Sequence, residues 1–260
     1  MLMKYLLATI AAGLFAGMLL TPAMYVRTVP LILEAERYEN AAYGHDHLNA
    51  ITAVDAGAGN TFPAKLPHNA IEEDDQALPF GRLTNTLLVN LVAGAGFALV
   101  TGAAALFLGL KIKFANGIYW GLAGFFIFNL SPSISLAPEL PAMPAADLAS
   151  RQAWWLVTVM LAAGGLYLSV LRREFVAKVW GVVLIFAPHL YGAPRIADLK
   201  SGVPPTLASE FAVSTLVTNM FFWMILGPTL GFFLQTYAEV EHRDRQDSLP
   251  RALNTNSKPR

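Results

Sequence analysis

The sequence has no cysteine and few charged residues. Its 260 residues contain 0 Cys, and only 14% are Asp, Glu, Lys or Arg. The absence of thiols excludes disulfide bonds, thiolate metal sites and catalysis by a cysteine nucleophile. The phosphate-binding pattern G-x-x-x-x-G-K-[ST] is also absent, which excludes ATP hydrolysis at a loop of that kind.

Long apolar runs make up most of the chain. Hydrophobic residues are 55% of the sequence, a composition typical of membrane proteins rather than of water-soluble domains. A helix needs about 20 apolar residues to cross the hydrocarbon core of a bilayer. We therefore predict an all-α polytopic membrane helix bundle with about six transmembrane helices. The predicted spans are roughly 5–26, 83–110, 114–130, 153–171, 175–191 and 207–237.

The distribution of basic residues predicts the orientation of these helices. Lys and Arg near helix ends are enriched on the cytoplasmic side of membrane proteins. A cytoplasmic N-terminus puts Lys4, Arg173 and most other basic residues on that side, and both termini are then cytoplasmic. We expect a helix bundle over 1–237 with a long outer loop at 27–82, and a polar cytoplasmic tail at 238–260.

Most acidic residues fall on the opposite, outer face in this topology, together with His45, His47, His68 and His189. A face rich in carboxylates raises the local concentration of cations. The same distribution would also arise if acids faced outward only because basic residues are kept inside. The outer face is therefore a candidate cation-binding surface, to be judged residue by residue.

The long outer loop contains a compact group of possible metal ligands. His45, Asp46 and His47 place two imidazoles and a carboxylate within three residues. In an extended segment alternate side chains point the same way, so both imidazoles would face one side. Imidazole and carboxylate are ligands for borderline divalent ions such as Co²⁺, Ni²⁺ and Zn²⁺. The alternative is a solvated polar loop without fixed ligand geometry.

A proline-rich segment follows the third predicted span. Pro132, Pro138 and Pro141 oppose a continuing helix, so we expect extended or turning backbone over 131–141. Glu139 lies in this frame, and irregular backbone at membrane depth is tolerated where it is buried or lines a watery cavity. Glu139 is a candidate metal ligand, or else one half of a structural ion pair with Arg151.

A histidine lies at the end of the fifth predicted span. We expect Pro188 and Gly192 to break the helix there and to place His189 near the membrane boundary. An ionisable residue at that depth is a functional candidate. The alternative is a buried histidine whose hydrogen bonds are satisfied within the protein.

Glycines recur at the spacing that brings two helix backbones together in lipid. Such pairs favour a tightly packed bundle and carry no chemistry of their own. They are Gly13 and Gly17, Gly117 and Gly121, and Gly227 and Gly231.

Short motifs spread along the chain form a distinctive set. They are VPLILEAE at 29–36, PELP at 138–141, DLASRQAWW at 147–155, PHLYGAP at 188–194 and EFAV at 210–213. Together they resemble the CbtA family, over about Leu2 to Tyr237. That family is described as the membrane subunit of a predicted cobalt transporter linked to cobalamin supply. Its partner, CbtB, is a short one-helix protein with a histidine-rich tail.

The resemblance implies a membrane subunit of a divalent metal ion uptake transporter, with cobalt as the expected substrate. It implies no enzymatic activity and no resident cofactor. We expect His45, Asp46 and His47 to capture the ion and Glu139 and His189 to receive it at the outer mouth of the bundle. We also expect a CbtB-like partner, and a multi-pass location in the inner (cytoplasmic) membrane of a bacterium.

Two alternatives come from other functional classes. The chain could be a non-transporting assembly or scaffold subunit that docks a partner through its polar loops. It could also be a subunit of a membrane metalloenzyme, which would need several ligands at fixed helical spacing inside the membrane. Metal analysis of the purified protein separates them, because an enzyme would hold metal stoichiometrically and a scaffold would hold none.

Overall fold

The computed structural model describes residues 2–39, 81–195 and 201–254, with side chains as far as residue 238. The predicted ligands His45, Asp46 and His47 lie outside these residues. Within the described ranges all regular structure is helical. The helices are α1 Leu2–Arg27, α2 29–39, α3 Gly81–Leu108, α4 Phe114–Phe125, α5 Leu148–Leu171, α6 Phe175–Tyr191 and α7 Pro205–Asn254.

Four of the described helices are long and apolar enough to cross a membrane. They are Leu2–Arg27, Gly81–Leu108, Leu148–Leu171 and Pro205–Ala238. The prediction of an all-α polytopic membrane protein is confirmed. The two remaining predicted spans are shorter helices, α4 and α6. With 17 residues, α6 is about 26 Å long, a little less than the roughly 30 Å hydrocarbon core.

A π-helical turn follows α4, and the helix then continues past its predicted end at Leu130. The turn spans Phe126–Leu130, and Ser131–Ser133 remain helical. The backbone N–H of Ser131 donates to the carbonyl of Phe126, five residues back. The expected extended or turning backbone over 131–141 therefore begins only at Ile134, and the expectation was wrong for Ser131–Ser133. Pro132 has no N–H, and the wider π-helical turn before it, with its altered hydrogen-bond register, accommodates that missing donor.

The end of α6 also differs from the prediction. Pro188 lies inside the helix, which runs on to Tyr191, so the predicted break at Pro188 was wrong. Gly192 ends the helix as expected, with φ of 93° and its N–H donating to the Pro188 carbonyl at 3.0 Å. A proline removes one backbone donor, and a single loss in the last turns does not unwind this helix.

The predicted outer loop begins with helix α2 rather than with irregular chain. The N–H of Thr28 donates to Met24, and the N–H of Ile32 donates to Thr28, so the hydrogen bonding runs on from α1 into α2. Pro30 is tolerated because it lies in the first turn of α2, where N–H groups have no intrahelical acceptor. Helical structure therefore reaches residue 39 of the predicted loop.

The chain divides into two compact units. The first contains the described residues of Met1–Thr21, Leu87–Gly124 and Met220–Arg260. The second contains the described residues of Pro22–Thr86 and Phe125–Asn219.

In the first unit, the glycine pairs predicted from sequence lie at helix contacts. A Cβ at Gly117 would overlap the carbonyl of Gly227, and one at Gly13 would overlap the carbonyl of Gly94. Gly124 lies under the ring of Trp223. These contacts confirm that the glycines allow close approach of helix backbones.

In the second unit, α5 and α6 meet at Gly165 and Gly181, where a Cβ at either position would overlap the other helix. A buried cluster of Ala35, Leu140, Val203 and Phe211 joins α2, the segment after α4 and the start of α7. Leu140 directly follows Glu139. The cluster therefore fixes the backbone that carries this glutamate.

Candidate functional site

The second unit brings both described candidates, Glu139 and His189, to the first turns of α5. Glu139 contacts Arg151, and His189 packs against Trp154. Arg151 and Trp154 are three residues apart on one helix, which places them on the same face. Glu139 and His189, which are 50 positions apart in the sequence, thus contact the same stretch of α5.

Glu139 forms the ion pair that was its predicted alternative. Its Oε2 lies 2.8 Å from Nη2 of Arg151, and the two side chains are 24% and 27% exposed. The two charged groups are close, but Oε2 has no hydrogen-bond partner, so the contact is an ion pair without a hydrogen bond at that oxygen. The guanidinium therefore neutralises the carboxylate, with Nη2 and Oε2 in contact.

The backbone that holds Glu139 is tightly constrained. Leu140 is only 3% exposed, and its carbonyl accepts from the N–H of Met143 at 3.2 Å. This bond closes a turn with Pro141 and Ala142 in its centre, and Ala142 has a φ of 63°. A left-handed conformation is strained for a residue with a Cβ, and the surrounding packing must hold it in place. Glu139 is thus attached to a rigid turn.

His189 is held by two serines of the segment that follows the π-helical turn. Ser135 Oγ lies 2.8 Å from Nδ1, and Ser131 Oγ lies 3.4 Å from Nε2. The ring also meets Trp154 at a centroid distance of 6.1 Å and an angle of 67°, an edge-to-face contact. These contacts satisfy the histidine within the protein, as its predicted alternative required, and they fix the plane of its ring.

The two contact lengths suggest which nitrogen can bind a cation. A neutral imidazole has one N–H donor and one lone pair. The Ser135 hydroxyl can donate or accept, so the contact fits either tautomer; with the proton on Nδ1, that nitrogen donates to Ser135 Oγ at 2.8 Å and the lone pair lies on Nε2. A metal-binding histidine commonly donates its second nitrogen in this way. Nε2 faces only the longer Ser131 contact, so a cation can replace that serine as its partner.

Several polar atoms at this site are buried without a hydrogen-bond partner in the described structure. They include Nε of Arg151 and Nε1 of Trp154. Trp154 is only 7% exposed. A buried donor without a partner costs free energy, so such atoms mark places where a ligand or ordered water can bind.

A groove of about 560 Å³ opens beside Arg151. Its other walls are mainly apolar, and Gln152 supplies an amide. The walls are formed by Leu136, Leu148, Arg151, Gln152, Trp155 and Leu156. Arg151 therefore both lines this groove and contacts Glu139.

The start of α5 is fixed by an N-cap. Asp147 accepts a hydrogen bond from the Ser150 N–H and another from the Ser150 hydroxyl, both at 2.9 Å. The backbone bond from Ser150 is the main reason that the pKa of the Asp147 carboxyl lies below its usual value, and the hydroxyl adds to it. Arg151 is one residue further along, so the cap helps to set its position.

Sequence reasoning did not single out Ser131, Ser135 or Trp154 as site residues. The two serines are four residues apart, a spacing that would put them on one face if the helix continued through Pro132. Trp154 belongs to the motif DLASRQAWW at 147–155, from which no role was predicted for it. The signal was present in each case, but the pairing with His189 spans more than 30 residues and could not be read locally.

The described residues contain no group of three or more His, Asp or Glu side chains arranged to hold a metal ion. Within these residues, Glu139 and His189 are therefore not part of such a group.

Comparison with known protein families gives a match over most of the chain. The family model described as "Probable cobalt transporter subunit (CbtA)" matches residues 2–235. No curated protein and no solved structure matches the chain.

Proposed function

The chain belongs to the CbtA family of probable cobalt transporter subunits, and on that premise we propose that it admits a divalent metal ion, with Co²⁺ as the substrate, into the cell. The observation that supports this proposal is that Glu139 and His189 each contact the first turns of α5, at Arg151 and Trp154. An imidazole and a carboxylate are suitable ligands for Co²⁺, and the chain has no thiols to select softer ions.

The proposed route starts at the predicted outer loop. His45, Asp46 and His47, which lie outside the described residues, would make the first contact with the ion. Glu139 and His189 would receive it next, and it would then pass between the helices. Weak binding by few ligands suits a transporter, since an ion that is held too tightly does not leave.

The proposed driving force is the membrane potential. Moving one charge inward across a potential of 100 mV is favourable by about 2.3 kcal/mol, so a divalent ion gains about 4.6 kcal/mol. Another ion gradient or another subunit could add to this free energy. The proposal therefore does not require ATP hydrolysis by this chain.

The proposed partner is a CbtB-like one-helix protein with a histidine-rich tail, and the proposed location is the inner membrane of a bacterium. The family description of the chain as a transporter subunit supports a partner in general. Four apolar helices of spanning length support a multi-pass membrane protein.

Cobalt uptake by cells that express the chain with this partner tests the proposal. We expect Glu139→Ala and His189→Ala each to reduce uptake strongly. Matched controls are Glu36→Gln, which removes a different paired carboxylate of the same unit, and His242→Ala in the predicted cytoplasmic tail. Uptake that is unchanged in both site variants would reject the route.

One observation favours a non-transporting assembly subunit. Arg151 already neutralises Glu139, so the pair could serve only to hold α5 against the segment after α4. Equilibrium binding of Co²⁺ to the purified chain separates the two functions. Weak, exchangeable binding that depends on Glu139 and His189 supports transport, and absence of binding supports assembly.

A further inference from the structure

We infer that Arg151 is a built-in competitor for the cation site at Glu139, which an incoming divalent ion must displace. This inference rests on the proposed function, because it takes Glu139 to be a ligand of the transported ion. It assigns Arg151 a role in selectivity rather than in folding alone.

The ion pair at Glu139 is held by few contacts. Arg151 approaches the carboxylate through Nη2, and its Nε is buried without a hydrogen-bond partner. The second unit contains a useful comparison, since Arg82 holds Glu36 through two nitrogens at 2.9 Å and 3.1 Å. A fork of two parallel bonds is the stronger arrangement for arginine and a carboxylate. The pair at Glu139 is therefore the more easily exchanged of the two.

The backbone of Glu139 is fixed, whereas the side chain of Arg151 lines a groove. Glu139 lies between Pro138 and the buried Leu140, directly before the turn described above. Arg151 lines the groove beside α5, and in this proposal its guanidinium withdraws into that space without displacing the helix. When the ion arrives, the carboxylate keeps its position and the guanidinium swings into the groove.

Competition of this kind discriminates between ions by charge. The attraction between a cation and the carboxylate rises in proportion to the charge of the cation. A monovalent ion would gain about what the guanidinium gives up, so it has no advantage over Arg151. A divalent ion gains twice the Coulomb energy at the same distance and can take its place. Arg151 thus excludes Na⁺ and K⁺ from a site whose carboxylate would otherwise attract them.

The test measures the KM and maximal rate of cobalt uptake in cells that express the chain with its partner. Arg151→Gln removes the competitor, so we expect KM to fall roughly fivefold, which corresponds to the about 1 kcal/mol of a partly exposed ion pair. Added Na⁺ should then inhibit uptake by the variant and should leave uptake by the wild type unchanged. Arg151→Lys keeps the charge and should keep both properties. Arg82→Gln removes the same charge from the other pair and should leave KM unchanged.

The absence of cysteine allows a second test within one folded protein. Arg151→Cys should show the lowered KM. Reaction with an aminoethyl methanethiosulfonate adds a positive charge to that thiol and should restore the KM, whereas the neutral methyl reagent should not. Because the same protein is measured before and after reaction, a folding defect cannot produce this pattern.

Two results would overturn the inference. One is a KM that rises or stays constant in Arg151→Gln and does not respond to the charged reagent in Arg151→Cys. The other is recovery of uptake in the double variant Glu139→Gln with Arg151→Gln, which is the behaviour of a purely structural pair. The inference requires the double variant to remain inactive. Recovery in the double variant, or normal uptake by Glu139→Gln alone, would reject the proposed route as well. An unchanged or raised KM in Arg151→Gln, with uptake that still requires Glu139, rejects the inference alone, so the two failures are distinguishable.

Discussion

Ser135 Oγ lies 2.8 Å from Nδ1 of His189 and joins the segment after α4 to the end of α6. Ser131 makes a longer contact of 3.4 Å to the other ring nitrogen. Together the two serines fix a histidine that the sequence alone could only place near a helix end. The orientation of the imidazole thus depends on the π-helical turn that carries α4 through Pro132.

Removing the Ser135 hydroxyl should weaken cobalt uptake. Ser135→Ala leaves Nδ1 without its acceptor, and loss of such an outer partner typically costs about 10- to 100-fold in metal affinity or activity. We expect the KM for uptake to rise, with a smaller rise in Ser131→Ala because its contact is longer. Ser133→Ala, in the same segment, is the control and should behave like the wild type. An equal KM in Ser135→Ala and Ser133→Ala would refute the orienting role.

The left-handed residue Ala142 should tolerate glycine well. Its φ of 63° costs a residue with a Cβ about 1–2 kcal/mol, and glycine avoids this cost. Glycine loses more backbone entropy on folding, which offsets part of this gain. We therefore expect Ala142→Gly to raise the melting temperature only modestly. Ala137→Gly is the control, since Ala137 has no positive φ, and it should lower the melting temperature. A lower melting temperature in Ala142→Gly would show that the turn is not strained.

A methyl group at Gly117 should destabilise the first unit. It would overlap the backbone of Gly227, and overpacking costs about 1–3 kcal/mol. Gly96→Ala is the matched control, because a Cβ there meets nothing within 4 Å and alanine is the better helix former. Tryptophan fluorescence during heating in detergent should show Gly117→Ala unfolding earlier than Gly96→Ala. Identical melting curves would contradict the close packing.

The N-cap at Asp147 should make stability depend on pH. Because the pKa of Asp147 is lowered in the folded state, its contribution is present above the unfolded pKa of about 3.9 and is lost as pH falls through the folded value. Asp147→Ala should lower the melting temperature at neutral pH and differ less from the wild type in acid. Asp147→Asn retains a capping oxygen and should show a smaller loss at neutral pH. A constant difference between wild type and Asp147→Ala from neutral to acidic pH would argue against this linkage.

Most of the helices could be predicted from local sequence, whereas the contacts between residues distant in the sequence could not. Long apolar runs predicted six spans, and four of them are helices of spanning length among the described residues, because hydropathy is a property of consecutive residues. The predicted break at Pro188 was wrong, and the irregular backbone predicted from Ser131 begins three residues later. A proline removes one donor, but a π-helical turn or a helix end can accommodate the loss. Helix α2 is not predicted, because the predicted outer loop at 27–82 includes Val29 and Pro30.

The candidate site was predicted in part. The pair of Glu139 with Arg151 was expected as an alternative, since charges of opposite sign on one side of the membrane are easily matched. The partners of His189 were not expected, because serine and tryptophan are common and their contacts join distant segments. The proposed capture by His45, Asp46 and His47 stays a prediction.

The most direct test of the central claim is the initial rate of Co²⁺ entry into proteoliposomes that contain the purified chain and its CbtB-like partner. A membrane potential that is negative inside the liposomes is applied. The wild type is compared with the double variant Glu139→Gln and His189→Ala at equal amounts of protein, after equal melting temperatures have been established. We predict saturable, potential-dependent entry with the wild type and none above protein-free liposomes with the variant. Equal entry rates for the two proteins would contradict a route through Glu139 and His189.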